Sequence, residues 1–254
     1  MSPTNSVSAA AVAIGDELLS GRTKDKNIGH LAELLTAAGI ALREVRIVSD
    51  DEDSIVAALD ALRHSHDYVF TSGGIGPTHD DITADSVSKA FGVPCLHDAK
   101  AMELMGAHYE KRGMEFTEAR KRMARMPQGA EHIDNPVSIA PGFKIGNVFV
   151  MAGVPSVFQA MLDNVLPTLR RGRKVISHAI QCPFAEGDIG SALRLIAQSH
   201  QEVSIGSYPR YTDNGYSNEI VVRSADQDAV NLAASAIQLM LDQMNEASVK
   251  PNSD

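Results

Sequence analysis

The segment 67–83 reads DYVFTSGGIGPTHDDIT, and it passes from an apolar run into a glycine-rich loop. Residues 67–71 have the length and composition of a buried strand, and residues 84–91 continue with a helical pattern. Gly73, Gly74 and Gly76 allow positive backbone dihedrals and let several N–H groups point at one anion, to which the following helix adds its positive end. The segment therefore predicts a strand, a phosphate-binding loop and a helix, in preference to a plain tight turn.

This loop differs from the two commonest phosphate loops. A G-x-x-x-x-G that is followed by lysine is absent, and a G-x-G-x-x-G begun at Gly74 would need glycine where His79 stands. The loop therefore indicates a phosphate-bearing ligand without naming it, because backbone amides recognise phosphate and not the group attached to it.

The chain before this segment alternates strands and helices. Residues 8–14 are a short apolar run, residues 27–38 have helical spacing and end at Gly39, residues 42–48 alternate as a strand does, and residues 55–62 form a second helical face. This β-α-β-α-β order predicts an α/β fold with a parallel sheet and right-handed crossovers.

The chain after the segment continues the first domain and then begins a second one. Helices are predicted at 84–91, 99–112 and 117–126, a strand at 147–151 and a helix to about residue 169. The polar break at 170–174 separates a domain at 8–169 from a small α+β module at 174–244, with the order βαββα and a hairpin turn at 212–215. Residues 1–7 and 245–254 are predicted to be flexible tails.

The loops at the strand ends carry most of the chemistry-bearing residues. In an open parallel sheet, ligands bind beyond the carboxyl ends of the strands. Here the strands end in Gly15-Asp16-Glu17, in Asp50, in the glycine loop and in Gly153-Val154-Pro155-Ser156. We therefore expect glycines and carboxylates to converge at one edge of the sheet.

Two aspartates at this edge have competing interpretations. Singly, Asp81 is expected to cap the helix after the glycine loop, and Asp50 or Asp53 the helix at 55–62. Together, Asp50 and Asp81 are expected to form a divalent-ion site, since magnesium or a similar ion binds one or two carboxylates and the phosphates of a substrate. His79 is either a general base or, more commonly for such a residue, a solvated loop histidine.

Composition limits the partners of the chain. The 254 residues carry a formal net charge of -9, which opposes binding to nucleic acid. The two cysteines, Cys95 and Cys182, have no metal or redox spacing, and free thiols are expected. The N-terminus lacks the order of a signal peptide, and no apolar run is long enough to cross a membrane, so we expect a cytoplasmic protein.

Taken together, these motifs resemble the molybdopterin-binding domain of the MoaB/MogA-like family, and in particular its CinA-like branch. The resemblance covers residues 8 to 169 approximately and rests on GDELL at 15–19, Asn27, SGGIGPTHDDIT at 72–83, Asn135-Pro136, APGF at 140–143 and AGVP at 152–155. The remainder of the chain is more loosely similar to the small second module of that branch. An acidic residue often follows the last motif in the branch, whereas this chain has Ser156-Val157.

The resemblance implies a three-layer α/β/α fold, homo-oligomers of two or three subunits, and a pterin or nucleotide ligand held through its phosphate. It assigns the chemistry to Asp50 and Asp81. The expected ligand contacts are Gly15, Asp16, Glu17, Asn27, Ser72, Gly73, Gly74, Gly76, Thr78, Asp80, Gly153, Pro155 and Ser156. The deamidase domain that ends longer members is not expected here, since the sequence stops at Asp254.

Two functions follow from this resemblance. The first is a metal-dependent nucleotide pyrophosphatase that acts on ADP-ribose or FAD-like dinucleotides, for which the pair of acids argues. The alternative is a non-catalytic molybdopterin-binding protein or scaffold in molybdenum cofactor metabolism, for which the lack of an obvious general base argues.

Overall fold

A computed structural model describes residues 7–212 and 215–249 of the chain. Their contacts divide them into two units, residues 7–172 and 173–249. Residues 213 and 214 of the predicted hairpin turn lie outside the described part, as do residues 1–6 and 250–254 of the predicted tails. In the described part of those tails, Val7 pairs with Ile40 and residues 245–249 continue a helix, and the flexibility of the tails stays a prediction.

Strands and helices alternate through the first unit. In chain order they are β1 (Val7–Ile14), α1 (Asp16–Leu19), α2 (Asn27–Ala37), β2 (Ile40–Val48), α3 (Glu52–Arg63), β3 (Tyr68–Ser72), α4 (Thr83–Phe91), β4 (Cys95–His97), α5 (Ala99–Lys111), α6 (Glu118–Arg122), β5 (Arg125–Pro127), β6 (Glu131–Ile133), β7 (Gly142–Ile145), β8 (Val148–Met151) and α7 (Pro155–Val165), followed by a 3-10 turn at Leu166–Thr168.

Six of these strands form one sheet in the order β2-β1-β3-β8-β7-β6. The four strands β2, β1, β3 and β8 are parallel, and β7 and β6 extend the sheet in antiparallel fashion. The predicted α/β fold with a mostly parallel sheet is confirmed. Because β1, β2, β3 and β8 run in one direction, the loops that follow them meet at the same edge of the sheet.

Helices cover both faces of this sheet, and β1 shows why. Ala9 and Ala11 on one face of β1 belong to a buried cluster with residues of α2 and α7. Ala10 and Val12 on the other face belong to a second cluster, which includes Leu59 of α3. Small side chains on both faces of a buried central strand let the helices approach closely on either side, and three layers result.

Several elements of the first unit differ from the prediction. The short helix α1 and the strands β4, β6 and β7 were not predicted. The expected helix at 117–126 ends at Arg122 in the structure, and Arg125–Pro127 instead pairs with Cys95–His97 as strands β5 and β4. Periodicity in a local window does not reveal a pairing between residues so far apart in the chain. Cys95 and Cys182 are free thiols, as expected.

The second unit has the predicted βαββα order. Its elements are β9 (Ile176–Cys182), α8 (Glu186–Ser199), β10 (Ser204–Thr212), β11 (Gly215–Ser224) and α9 (Gln227–Val249). The three strands form an antiparallel sheet in the order β10-β11-β9, and one of its faces packs on the helices through Ile220, Val222 and Ile237. Across the described residues, no helix has the combined length and apolar character that a membrane span requires.

Candidate functional site

The four strand-end loops line one pocket, with a volume of about 550 Å³. This volume lies within the range of small-molecule sites. Ten of the fifteen predicted site residues line it, namely Gly15, Glu17, Asp50, Gly73, Gly74, Gly76, Asp80, Asp81, Gly153 and Pro155. The convergence that the chain order predicted is therefore present in the structure.

The remaining expected residues, Asp16, Asn27, Ser72, Thr78 and Ser156, are not among the residues that line the pocket. Most of them contact residues that do. The backbone N–H of Asp16 donates to Asp50 Oδ2 at 3.0 Å, and the backbone N–H of Thr78 donates to Asp81 Oδ2 at 2.8 Å. Ser156 is exposed in the first turn of α7. Asp16 and Thr78 thus help to position the pocket wall, and direct contact of all five residues with a ligand stays a prediction.

Asn27 holds two of the loops together. It is only 3% exposed, and its Nδ2 donates to Ser72 Oγ at 2.7 Å and to the carbonyl oxygen of Gly153 at 2.8 Å. One amide group thus connects the end of β3 to the end of β8. Its Oδ1 atom is buried without a hydrogen-bond partner among the described residues.

The glycine loop is folded tightly against the start of α4. Gly73 and Gly74 have φ values of 112° and 68°, in the region that favours glycine. A Cβ atom on Gly74 would collide with the hydroxyl of Thr83, and this hydroxyl donates to the carbonyl oxygen of Gly73 at 3.0 Å. Thr83 is buried, and it was not among the sequence-predicted site residues. The structure therefore explains two of the three glycines by backbone geometry.

Asp81 does not cap α4. The position before the helix is Ile82, which makes no capping bond, and Asp81 Oδ2 instead accepts from the backbone N–H of Thr78 and from its hydroxyl at 2.5 Å. A Cβ atom on Gly76 would lie 2.6 Å from the same Oδ2 atom. The carboxylate of Asp81 is therefore held directly against the glycine loop, and the capping interpretation was wrong.

Asp50 does not cap a helix either. The cap of α3 is Asp51, whose side chain accepts from the backbone N–H of Ser54 at 2.9 Å. Partial burial raises the pKa of Asp50, the hydrogen bond from Asp16 N–H opposes this rise, and the neighbouring carboxylates, with Glu17 first, add to it. Asp50 is thus an ionisable group whose negative charge has lost part of its solvation, and a cation would stabilise that charge.

The pocket is lined by acids and not by bases. Glu17, Asp50, Asp80 and Asp81 line it, and none of its described lining residues is lysine, arginine or histidine. The side chain of His79 is fully exposed. Within the described residues, no group of three or more His, Cys, Asp or Glu side chains forms a ready metal cage. Magnesium does not require one, since it binds through one or two carboxylates, several waters and substrate phosphates.

A second loop, residues 134–141, completes the wall. Asn135 organises it, since its Nδ2 donates to Ser138 Oγ at 2.6 Å and to the carbonyl oxygen of Ala140 at 2.8 Å. Ile139 has a φ of 68°, which is unusual for a residue other than glycine. Ser138 and Ala140 line the pocket and were not predicted, although the asparagine and proline at 135–136 marked the segment.

Apolar side chains provide another part of the wall. Met123, Val157 and Met161 line the pocket together with Ile14 and Ile75. The pocket therefore has an apolar part beside its glycine loop and carboxylates.

Comparison with known proteins agrees with this arrangement. Residues 10–171 match the family model described as "Probable molybdopterin binding domain", and residues 174–250 match the model described as "FAD synthase, middle domain". The second match corresponds to a FAD synthase module and not to a deamidase domain.

Relatives from other organisms and one solved structure are also similar to this chain. A protein of Saccharolobus islandicus is 36% identical over 190 residues, which cover 73% of this chain and 72% of that protein. A protein of Pyrobaculum aerophilum is 35% identical over 212 residues, 78% of each chain. The crystal structure of CinA from Thermoplasma acidophilum, a protein described as having unknown function, matches with a TM-score of 0.60 and 32% identity over 65% of this chain and 99% of that chain. The chain belongs to the molybdopterin-binding domain family, in its CinA-like branch.

Proposed function

We propose that the first unit is a metal-dependent nucleotide pyrophosphatase that cleaves dinucleotides such as ADP-ribose or FAD. The observation that carries this proposal is the composition of the pocket, which combines an amide-rich glycine loop with four carboxylates and has no basic lining residue among those described. A phosphate placed beside these carboxylates alone would be repelled. A divalent cation bound between the phosphate and the carboxylates would remove this repulsion, because it attracts both groups.

Different residues of the pocket would bind the phosphate and the divalent ion in such a reaction. The N–H groups around Gly73, Gly74 and Gly76 bind one phosphate of the substrate. Asp50 and Asp81 are held by hydrogen bonds from Asp16 and from Thr78, so their carboxylates stay in place without the substrate. When bound there, a divalent ion would neutralise charge on the phosphates and bring a water molecule to the phosphorus.

The chemistry itself is hydrolysis. The oxygen of water forms a bond to one phosphorus atom, the bond from that phosphorus to the bridging oxygen breaks, and two phosphate monoesters leave. The proton of the water passes to a carboxylate of the pair Asp50 and Asp81 and then to solvent. Positioning of the substrate and neutralisation of its charge account for most of the rate acceleration of such reactions. The glycine loop and the carboxylates of this pocket would contribute in both ways.

Two further observations support a dinucleotide as substrate. The pocket combines an apolar wall with its phosphate loop, so it has a place for the base or sugar as well as for the phosphates. The second unit matches the middle domain of FAD synthase, a protein whose name refers to a dinucleotide.

A non-catalytic molybdopterin-binding protein or scaffold is the second candidate. The specific observation in its favour is that no histidine is found among the described lining residues, so the pocket offers no side chain that normally accepts a proton near neutral pH. The description of the family model also refers to molybdopterin. This candidate uses the same glycine loop and leaves the carboxylates without a chemical role.

One experiment separates the two candidates. The purified chain is incubated with ADP-ribose or FAD and with magnesium, manganese or cobalt, and the release of two monophosphates is measured while molybdopterin binding is measured in parallel. Metal-dependent cleavage supports the pyrophosphatase. Retention of molybdopterin without turnover of any dinucleotide would replace it with the binding protein.

We also propose that the chain forms a dimer or a trimer. Val45 and Ile47 are exposed on β2, which is an edge strand of the six-stranded sheet, and an apolar edge of this kind is a surface that a second copy covers. Light scattering on the purified chain tests this, and a monomeric mass would contradict it.

A further inference from the structure

Within the described residues of the second unit, only one face of the sheet packs on helices, and the opposite face carries none. The inner face packs on α8 and α9 through Ile220 and Val222. Because side chains alternate along a strand, the neighbouring positions point to the opposite face. On β10 and β11 this outer face carries Gly206, Tyr208, Arg210, Glu219, Val221 and Arg223. A groove of about 370 Å³ lies along it.

The ring of Tyr208 lies across the sheet and does not point away from it. A Cβ atom on Gly206 would be 2.9 Å from Cε2 of Tyr208 and 3.1 Å from its Cζ, so the ring occupies the space that a side chain at 206 would need. Val221, which pairs with Gly206, is only 6% exposed. Tyr208 itself remains 41% exposed. Part of the Tyr208 ring is therefore accessible for stacking with a planar ligand.

Two guanidinium groups accompany this ring on the same face. Nη1 of Arg223 donates to the hydroxyl of Tyr208 at 2.7 Å, and its Cζ lies 5.3 Å from the ring centre. Arg210 is two residues beyond Tyr208 and lines the same groove. Arginine recognises phosphate through several planar donors, and it stacks on aromatic rings as well. The tyrosine thus has cationic groups beside it on a chain whose net charge is -9.

A carboxylate completes the groove. Glu219 pairs with Tyr208 across the two strands, and its Oε1 accepts from Nε2 of Gln181 at 3.0 Å. A carboxylate that is oriented in this way accepts hydrogen bonds from the amino group or ring N–H of a heterocycle. The groove therefore combines a stacking ring, two phosphate partners and an acceptor.

We propose that this outer face is a second ligand site, which binds a planar nitrogen heterocycle carrying a phosphate, as in a nucleoside monophosphate. The heterocycle stacks on Tyr208, the phosphate pairs with Arg223 and Arg210, and Glu219 accepts from the edge of the base. The negative charge of the chain favours such a small ligand over a nucleic-acid strand, whose many phosphates would be repelled. This site is independent of the activity proposed for the first unit.

Photolabelling of the full chain with 8-azido-adenosine monophosphate tests this proposal. Excess EDTA in the reaction removes the divalent ions on which the activity proposed for the first unit depends. Label is then mapped on proteolytic peptides, so the two sites are distinguished by position. We expect label on peptides from residues 204–212 and 215–224, and we expect competition by AMP to be stronger than by adenosine or by inorganic phosphate.

Variants make the test specific. Tyr208→Ala should lower this labelling about tenfold, since stacking of one base on an aromatic side chain has about that effect. Tyr208→Phe, which keeps the ring, should retain most of it. Arg223→Gln should weaken the advantage of AMP over adenosine. The control is Tyr211→Ala, because Tyr211 is 84% exposed on the same strand but outside the groove.

Several results would overturn the proposal. These are label that is absent from β10 and β11, label that Tyr208→Ala leaves unchanged in a folded protein, and equal loss of label in Tyr211→Ala. Stronger competition by a single-stranded oligonucleotide than by AMP would also overturn it, in favour of a nucleic-acid surface.

Discussion

The pocket of the first unit and the outer sheet face of the second use glycine in different ways. In the pocket, a side chain on Gly74 would collide with Thr83, a buried residue at the start of α4. On the sheet face, a side chain on Gly206 would meet only the far end of Tyr208. The first glycine is required by the fold and the second only by the position of one ring. A site made of backbone groups thus cannot be altered without altering the fold, whereas a site made of side chains can.

The largest effect is expected at Gly74. Gly74→Val combines a β-branched side chain with a φ of 68° and a collision with Thr83, so it should lower the free energy of unfolding by more than about 3 kcal/mol. Denaturant titration of the purified variant measures this. An unchanged midpoint would mean that the loop can relax, and the contrast between the two glycines would disappear.

The next effect concerns activity and not stability. Asp81→Asn keeps the size of the side chain and removes the charge, so dinucleotide cleavage should fall about a hundredfold or more while the melting temperature stays nearly constant. Asp50→Asn should behave in the same way, and the double variant should be scarcely worse than either single variant.

The matched control for these variants is Asp163→Asn, on the exposed side of α7 and outside the residues that line the pocket. It should retain full activity. Equal activity of the wild type and Asp81→Asn at saturating metal would contradict the role of the carboxylates and leave the pterin-binding candidate.

A smaller effect is expected from Asp50 on stability without metal. Burial raises the pKa of Asp50 in the folded protein, so the folded state binds the proton more tightly than the unfolded state. Ionisation therefore costs stability as the pH rises above the usual range of an aspartate. Asp50→Asn should be more stable than the wild type at neutral pH in EDTA, by less than about 1 kcal/mol because the group is largely solvated.

This difference should shrink at acid pH, where the wild-type carboxyl is protonated as well. Melting curves of both proteins between acid and neutral pH provide the measurement. A variant that is less stable than the wild type at neutral pH would show that the hydrogen bond from Asp16 outweighs the cost of burial.

The smallest effect is expected at Gly206. Gly206→Ala should change the free energy of unfolding by no more than about 0.5 kcal/mol, because the ring of Tyr208 can rotate away and alanine restricts the unfolded chain. Denaturant titration beside Gly74→Ala gives the comparison directly. Equal losses in the two variants would show that Tyr208 is as firmly packed as Thr83.

The pocket was more predictable from the sequence than the face of the second sheet. Glycine loops and strand ends are local sequence patterns. A parallel sheet brings the loops that follow its strands to one edge, whichever residues these loops contain. The roles of single acids were less predictable. Asp51 caps α3, and the side chain of Asp50 instead accepts from the backbone N–H of Asp16, a residue from another loop.

Contacts between residues that are distant in the chain account for the other differences between the sequence-based expectations and the structure. The strand at Arg125–Pro127 exists because Cys95–His97 is available to pair with it. Ser138 reaches the pocket because Asn135 shapes its loop. Arg223 contacts the hydroxyl of Tyr208 only after β10 and β11 have paired in their observed register. None of these contacts leaves a periodic pattern in the chain.

The Asn27 bridge has a consequence for how the protein is made. Its amide joins Ser72 to the carbonyl oxygen of Gly153, which lies 126 positions beyond Asn27 in the chain. The backbone N–H of Gly73 likewise donates to Met151, at 3.1 Å. During synthesis the glycine loop therefore leaves the ribosome long before the strand that closes it, and its amides remain exposed to water until β8 arrives. A ribosome stalled before residue 148 would hold a chain that contains every glycine of the loop but no closed pocket, and non-local pairing of this kind is slow to form.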